Sequence, residues 1–389
     1  MPIYLDHAAT TPMRGDVIAA YAAALAVVGN PASIHSQGQN AKRMLEEARE
    51  QVAASLGADS VEVTFTGGGT ESVNLGIKGL FWARAGAGRR ILVPEGEHHA
   101  TVDAVEWLAR HESALIEWIP IDGSGRIRLD ALREALERFD DIALVTALLA
   151  NNEVGTLQPV AEIVALAGAH GVPVHVDAIA AYGYLPIDFR ALGAATLSVS
   201  AHKIGGPVGV GALLIARSAT VVPLVHGGNQ QRGRSGTQDV AGAVAFGLAA
   251  EQAVAGLAHT DSLAALRDRL IAGVQAAVPT ALLRGDPVDR LAGNAHFTFP
   301  GCEGDSLLFL LDVAGFSVST GSACQAGVPE ASHVLLSMGL SEPDARGALR
   351  MTLGHSSTAE EVDALVAALP AAVSSASRAG LAENSRFGG

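Results

Sequence analysis

Two cysteines, Cys302 and Cys324, are all the thiol in this 389-residue chain. Two cannot build a disulfide framework, and the sequence reads as a protein of a reducing compartment, the cytoplasm. Aromatic residues are also scarce, 4% against 49% hydrophobic residues overall, so the core must be packed mainly from aliphatic side chains and alanine. Positive charge is in deficit: 26 Lys and Arg face 40 Asp and Glu, a formal net charge of -14. That balance argues against nucleic acid or an anionic membrane as a direct partner. The chain opens Met1-Pro2-Ile3-Tyr4-Leu5-Asp6, without a basic stretch leading into an apolar one, and no signal peptide is expected. The longest apolar stretch, 240–258, is broken by Glu251 and Gln252 and predicts a buried helix, not a membrane span. Internal repeats and low-complexity linkers are absent too.

What is present is an alternation of strand-like and helix-like segments, the signature of an α/β architecture with a mainly parallel sheet. Val61, Val63 and Phe65 alternate as a strand should, and further strands are expected at 91–93, 142–148, 172–176, 196–199 and 210–215. Met44, Leu45, Ala48, Val52 and Leu56 recur at helical spacing, and 129–138 and 161–170 carry helical patterns. The character of the chain changes after about Ala258, which leaves room for a large domain and a smaller one.

Chemistry concentrates where apolar runs stop. Lys203 follows Thr196, Leu197 and Val199 and stands just before Gly205-Gly206-Pro207. A desolvated lysine has a lowered pKa and can form a Schiff base with an aldehyde cofactor. The run Val174-His175-Val176 ends in Asp177, 26 positions earlier. Pyridoxal phosphate needs this pair, a lysine for its aldehyde and an acid for its ring nitrogen. In Thr66-Gly67-Gly68-Gly69-Thr70-Glu71 a strand runs through three glycines into a helix start marked by Thr70. Exposed amides and a helix dipole there favour a phosphate, although the spacing matches neither the dinucleotide nor the triphosphate loop. Glu97-His98-His99 and Asn151-Asn152-Glu153 each follow an apolar run as well. Adjacent histidines on a strand face opposite ways and make poor joint metal ligands, so no metal is expected; one flat imidazole could stack on a pyridine ring. Cys302 lies between Gly301 and Glu303, with Asp305 close by, and reads as an inert small hydrophobe. Cys324 lies in a loop of small residues with no acid nearer than Glu330. It is the better candidate nucleophile.

Taken in order, these segments resemble the cysteine desulfurases of the class V aminotransferase group of pyridoxal-phosphate enzymes. The matching motifs are Leu5-Asp6-His7-Ala8-Ala9-Thr10-Thr11-Pro12, Gly29-Asn30-Pro31-Ala32-Ser33-Ile34-His35, Gly69-Thr70-Glu71-Ser72, Asn151-Asn152-Glu153-Val154-Gly155-Thr156, Ser200-Ala201-His202-Lys203, Arg234-Ser235-Gly236-Thr237 and Gly321-Ser322-Ala323-Cys324. The seven residues between Cys324 and Ser332-His333-Val334-Leu335 resemble the long-loop branch. The resemblance implies a fold-type I architecture. It would have a large domain, 15–258, around a mainly parallel seven-stranded sheet. A small α/β domain, 1–14 with 259–380, would carry the cysteine loop, and 381–389 would form a disordered tail.

The resemblance also implies roles. Lys203 would bind pyridoxal phosphate covalently, and Asp177 would hold the ring nitrogen protonated. His98 would stack on the ring, with Asn152 near the ring hydroxyl and substrate. Gly69, Thr70, Ser200 and His202 would bind the phosphate, joined by Thr237 from the partner subunit of a homodimer. Arg350, assisted by Asn30, would clamp the carboxylate of L-cysteine. Lys203 would act as base and Cys324 would take the sulfur as a persulfide. An acceptor protein of iron–sulfur cluster assembly or tRNA thiolation would then receive it.

The family pattern carries glutamine where this chain has Ala180, and serine is common where it has Gly67. Two other readings stay open on the residues. A selenocysteine lyase or small-substrate aminotransferase would share Lys203, Asp177 and the phosphate cup without needing Cys324. A non-catalytic sulfur-transfer scaffold would use the loop and leave Lys203 idle.

Overall fold

The computed structural model describes residues 2–321 and 331–384. Seven strands form the central sheet in the order Val63–Thr66, Gly211–Ile215, Thr196–Ser200, Val174–Asp177, Ile142–Leu148, Arg90–Pro94 and Leu115–Ile119. All neighbours run parallel except Gly211–Ile215, which is antiparallel to both strands beside it. Helices cover both faces, so the inner strands are apolar without alternation; all seven residues of Ile142–Leu148 are buried. Helix Gly69–Ala83 lies so close to the sheet that a Cβ on Gly76 would meet the His175 ring at 2.4 Å.

The outer helices show how a core with few aromatics closes. Val240–Gly256 buries a face rich in alanine and glycine, and packs on helix Ser36–Ser55. A Cβ on Gly247 would come within 3.0 Å of the Ala48 Cα. The 38-residue stretch Val240–Ala277 is long and apolar enough to cross a membrane by composition alone, yet half of its most apolar window is buried inside the protein. It is two helices, joined by a tight turn over Leu257–His259.

A second core collects Leu5 with Leu270, Phe297, Phe299, Leu349, Met351 and Leu365. Its three-stranded antiparallel sheet has the order Ala348–Thr352, Asn294–Thr298, Leu282–Arg284. The N-terminal strand Ile3–Tyr4 pairs in parallel with Phe316–Ser317 and so joins this half of the molecule.

Three local expectations change. Val61 is in a turn, Ser60–Glu62, because Asp59 and Glu62 form a capping box that folds the segment before the strand begins. Leu115–Ile119 is an edge strand that the sequence pattern did not reveal. His98 and His99 are not on a strand: His98 caps helix His99–Glu112 and accepts from the Ala100 amide.

Candidate active site

The parallel strands deliver their chemistry at one edge, where their carboxyl ends open a crevice. Asp177 is the last residue of its strand, and Lys203 sits in the turn Ala201–Ile204 directly after Thr196–Ser200. Asn152 stands in the turn after Ile142–Leu148. That turn is fixed by the Asn151 side chain, which accepts from the amides of Glu153 and Val154 and donates to Gly96 O. A cleft of about 390 Å³ is lined by Lys203, Asp177, His98, Asn152, Gly69, Thr70, His202 and Arg350, together with Ala8, Ala180, Gly321 and His333.

Burial sets the protonation of these groups. The Lys203 ammonium donates to the carbonyls of Ala8 and Ala9. Burial, and then the Arg350 charge, lower its pKa to about 8 against the opposing pull of Asp177 and Asp6. Asp177 accepts from the Ile179 amide at 2.9 Å; burial raises its pKa to about 6, opposed by that hydrogen bond and by Lys203. Burial and the charge of Lys203 push His98 and His202 down to about 4, so both rings are neutral near pH 7. Because His98 Nδ1 accepts from Ala100 N, its proton sits on Nε2.

The same residues fit pyridoxal phosphate. Ser200 Oγ is buried and has no partner among the described residues. It adjoins Gly69, where a Cβ would lie 3.4 Å from Ser200 Cβ and 2.5 Å from Ile179 Cδ1. Only glycine keeps that space open. Gly68, at φ +138°, turns the chain into helix Gly69–Ala83, whose first amides face the same cup. A phosphate cup, a buried carboxylate and a lysine of lowered pKa therefore share one crevice.

Arg350 is buried on strand Ala348–Thr352. Its Nη1 donates to Asn152 O at 2.9 Å and its Nη2 pairs with Asp6 Oδ1 at 3.0 Å, while Nε has no partner among the described residues. Free N–H groups on a fixed guanidinium suit a carboxylate.

Two of the residues expected at the site lie elsewhere in the single chain. Asn30 is exposed and accepts from the Ala32 amide, and Thr237 is exposed; neither lines the cleft. Cys324 lies outside the described residues, but Gly321 and His333, before and after its loop, both line the cleft. Cys302 is buried in the second core, its Sγ 3.2 Å from Ser377 Oγ. Among the described residues no cluster of His, Cys, Asp and Glu could hold a metal.

Sequence reasoning assigned no role to three acids that the fold brings to the site. Asp6 holds Arg350. Glu97 is buried, accepts from the Leu148 amide, and is pushed up to about 8 by burial and then by the charge of Asp177. Glu153 is buried and accepts from Ser332 Oγ at 2.5 Å, next to the loop of Cys324. The available signal for Glu97 was weak: it lies three residues beyond the strand Arg90–Pro94, and Glu95 is the acid next to that run.

A crevice of this composition at the carboxyl edge of an α/β sheet defines a pyridoxal-phosphate enzyme. The chain belongs to the class-V aminotransferase family, whose profile matches residues 3–365. It is similar to an IscS-like cysteine desulfurase of Mycobacterium tuberculosis, 54% identical over 386 residues, covering 97% of this chain and 98% of that protein. It is 40% identical to a cysteine desulfurase IscS of Methanosarcina thermophila, covering 95% of this chain and 91% of that one. Among solved structures, a NifS-like protein superposes with a TM-score of 0.89 at 33% identity, covering 96% of this chain and all of that one (100%). The structure described as SspA in complex with cysteine superposes at 0.78 with 30% identity, covering 90% and 98%.

Proposed function

We propose that this protein is a cysteine desulfurase: it converts L-cysteine to L-alanine and carries the sulfur away as a persulfide on Cys324. The observation that carries this reading is the placement of Arg350, Lys203 and both described ends of the Cys324 loop around one cleft. The relatives named as cysteine desulfurases, aligned along nearly the whole chain, support it.

Asp177, Lys203, His98 and the Gly69–Thr70–Ser200–His202 cup would hold pyridoxal phosphate, with Thr237 contributed across a homodimer. Bound there, the cofactor supplies an electron sink for the pair released at the substrate Cα. Arg350, braced by Asp6 and Asn152, takes the substrate carboxylate, and Asn30 assists from the dimer. Lys203, with its lowered pKa, is suited to take the Cα proton near neutral pH and return it. The Cys324 thiolate attacks the substrate sulfur and forms an S–S bond as the C–S bond breaks. The electron pair of that bond stays with the carbon, which is protonated to give alanine. One thiol and one cysteine enter; one persulfide and one alanine leave.

An acceptor protein of iron–sulfur assembly or tRNA thiolation would take the sulfur in the cytoplasm. Residues 15–258 and 1–14 with 259–380 fit two domains that meet at the cleft; the end of the tail assigned to 381–389 lies outside the described residues. Cys324→Ser should abolish alanine and sulfide formation from cysteine with cofactor still bound. Cys302→Ser should keep both. Undiminished alanine formation in Cys324→Ser would overturn the desulfurase reading.

A further inference from the structure

A second cavity, of about 330 Å³, opens on the far side of the N-terminal arm from the cleft. The same arm gives Ala8 and Ala9 to the cleft and Thr11 and Arg14 to this cavity, and Lys203 borders both. Both halves of the molecule build it: Tyr182, Ile204 and Ala253 from one, Arg14, Ser262, Leu263 and His355 from the other.

Its walls are electrostatically one-sided. No aspartate or glutamate lines it, although acids outnumber bases 40 to 26 in the chain. Arg14 forms no ion pair among the described residues, and its Nε is buried without a partner. The side chain passes close to two glycines: a Cβ on Gly205 would sit 3.7 Å from Arg14 Cγ, and one on Gly256 would sit 3.8 Å from Arg14 Nη2. His355 is close enough that burial and then the Arg14 charge lower its pKa. Thr260, Ser262 and Ser357 add hydroxyls, and Leu263 and Leu266 add an apolar floor. Arg14 thus places beside the cavity a positive charge with no ionic partner among the described residues, and an oxyanion would neutralise it.

We propose that this cavity is a binding site for a small organic oxyanion, held by Arg14, His355 and the hydroxyls of Thr260, Ser262 and Ser357. An amino acid fits it poorly, because no carboxylate is present to meet an ammonium group. The site is therefore distinct from the one that takes substrate. Because its ligand would touch the arm that grips Lys203, occupancy and active-site geometry would be linked.

The test is calorimetric titration of the holoenzyme, whose phosphate cup is already filled, with inorganic phosphate and separately with malonate; malonamide serves as the uncharged control. The expected result is saturable binding of at least one anion and none of malonamide. Phosphate alone would assign a phosphorylated ligand, malonate alone a carboxylate, and both a general oxyanion site. Arg14→Gln should weaken binding by about tenfold or more, the share of one charge-assisted hydrogen bond, and Arg350→Gln should leave it intact. Leu263→Trp, which fills the cavity, should abolish binding while the visible absorbance of the bound cofactor reports an intact fold. The proposal is overturned if neither anion binds, if Arg14→Gln and Leu263→Trp both bind as the parent does, or if only Arg350→Gln loses binding. Because no turnover is measured, failure here would be separate from failure of the desulfurase reading.

Discussion

Among the described residues, only Asn152 O and Asp6 Oδ1 accept from the guanidinium of Arg350, and each fixes one arm of it. If Arg350 takes the substrate carboxylate as proposed, Asp6 acts through it by setting the plane in which that carboxylate docks. Asp6→Asn keeps the size and removes the charge, and should raise KM for cysteine by about tenfold with little change in kcat. Steady-state kinetics check this, and an equal fall in kcat at unchanged KM would contradict it. Ala180 is the other residue with a readable consequence. It stands on a wall shared by the cleft and a small void of about 20 Å³ that Asn152, His7 and Asn294 also line. A longer polar side chain at 180 would extend into the cleft, since the void holds no more than about one water. Ala180→Gln adds a donor beside the cofactor ring, and should shift the pH titration of the visible absorbance by about one to two pH units. An unchanged titration, with the new side chain shown to be in reach, would mean that Asn152 already supplies the hydrogen bond.

At the scale of elements, the two ends of the cysteine loop are anchored differently. Gly321, at φ +89°, lets the chain pass the buried ring of His296; a Cβ there would lie 3.2 Å from Nε2. Ser332 does two things at the other end: it donates to buried Glu153 and its oxygen caps the helix His333–Ser337 through the Leu335 amide. Ser332→Ala leaves Glu153 without that donor and the helix without its cap. It should cost about 1–3 kcal/mol, seen as a lower Tm, and slow alanine formation while cofactor absorbance is retained. Elements of this kind are only partly legible in a sequence. Lys203, Asp177 and His98 could be singled out because each ends an apolar run, and parallel strands bring such ends together. The strand Leu115–Ile119 was not legible because it is an edge: Glu117 interrupts the apolar run, and Leu115 and Trp118 are exposed where one side meets solvent. Asp6 was not legible for a different reason. Its partner is 344 positions away, and no local pattern reports a contact made by threading the arm between the two halves.

Across the whole molecule, the site is a set of ionisable groups buried at the edge of an apolar sheet, and its effect on stability has a definite sign. Glu97 holds its proton in the folded chain up to about pH 8, against an ordinary value of 4.5. Between these values the folded state binds a proton that the unfolded state has released, so stability falls as pH rises, by roughly 1.4 kcal/mol per pH unit at most. Asp177 adds to the same slope, but only up to about pH 6. The buried histidines His7, His98, His175, His202 and His296 act the opposite way, since the unfolded chain protonates them below about 6.5 while the folded chain does not. Lys203 acts above about pH 8, where the folded chain has lost a proton that the unfolded chain keeps, and stability rises with pH. Between pH 6.5 and 8 the two effects oppose each other: each of the five histidines is still partly protonated in the unfolded chain, about a quarter at pH 7, and together they offset Glu97. Denaturant unfolding of the apoenzyme across that interval should therefore show no steady decline of stability with pH. Glu97→Gln keeps an oxygen for the Leu148 amide and mimics the protonated acid, so the variant should gain stability relative to the parent as pH rises, the two curves diverging toward pH 8. Parallel parent and variant curves over that interval would show that Glu97 is ionised in the folded chain and shares the crevice with Asp177 as a second negative charge.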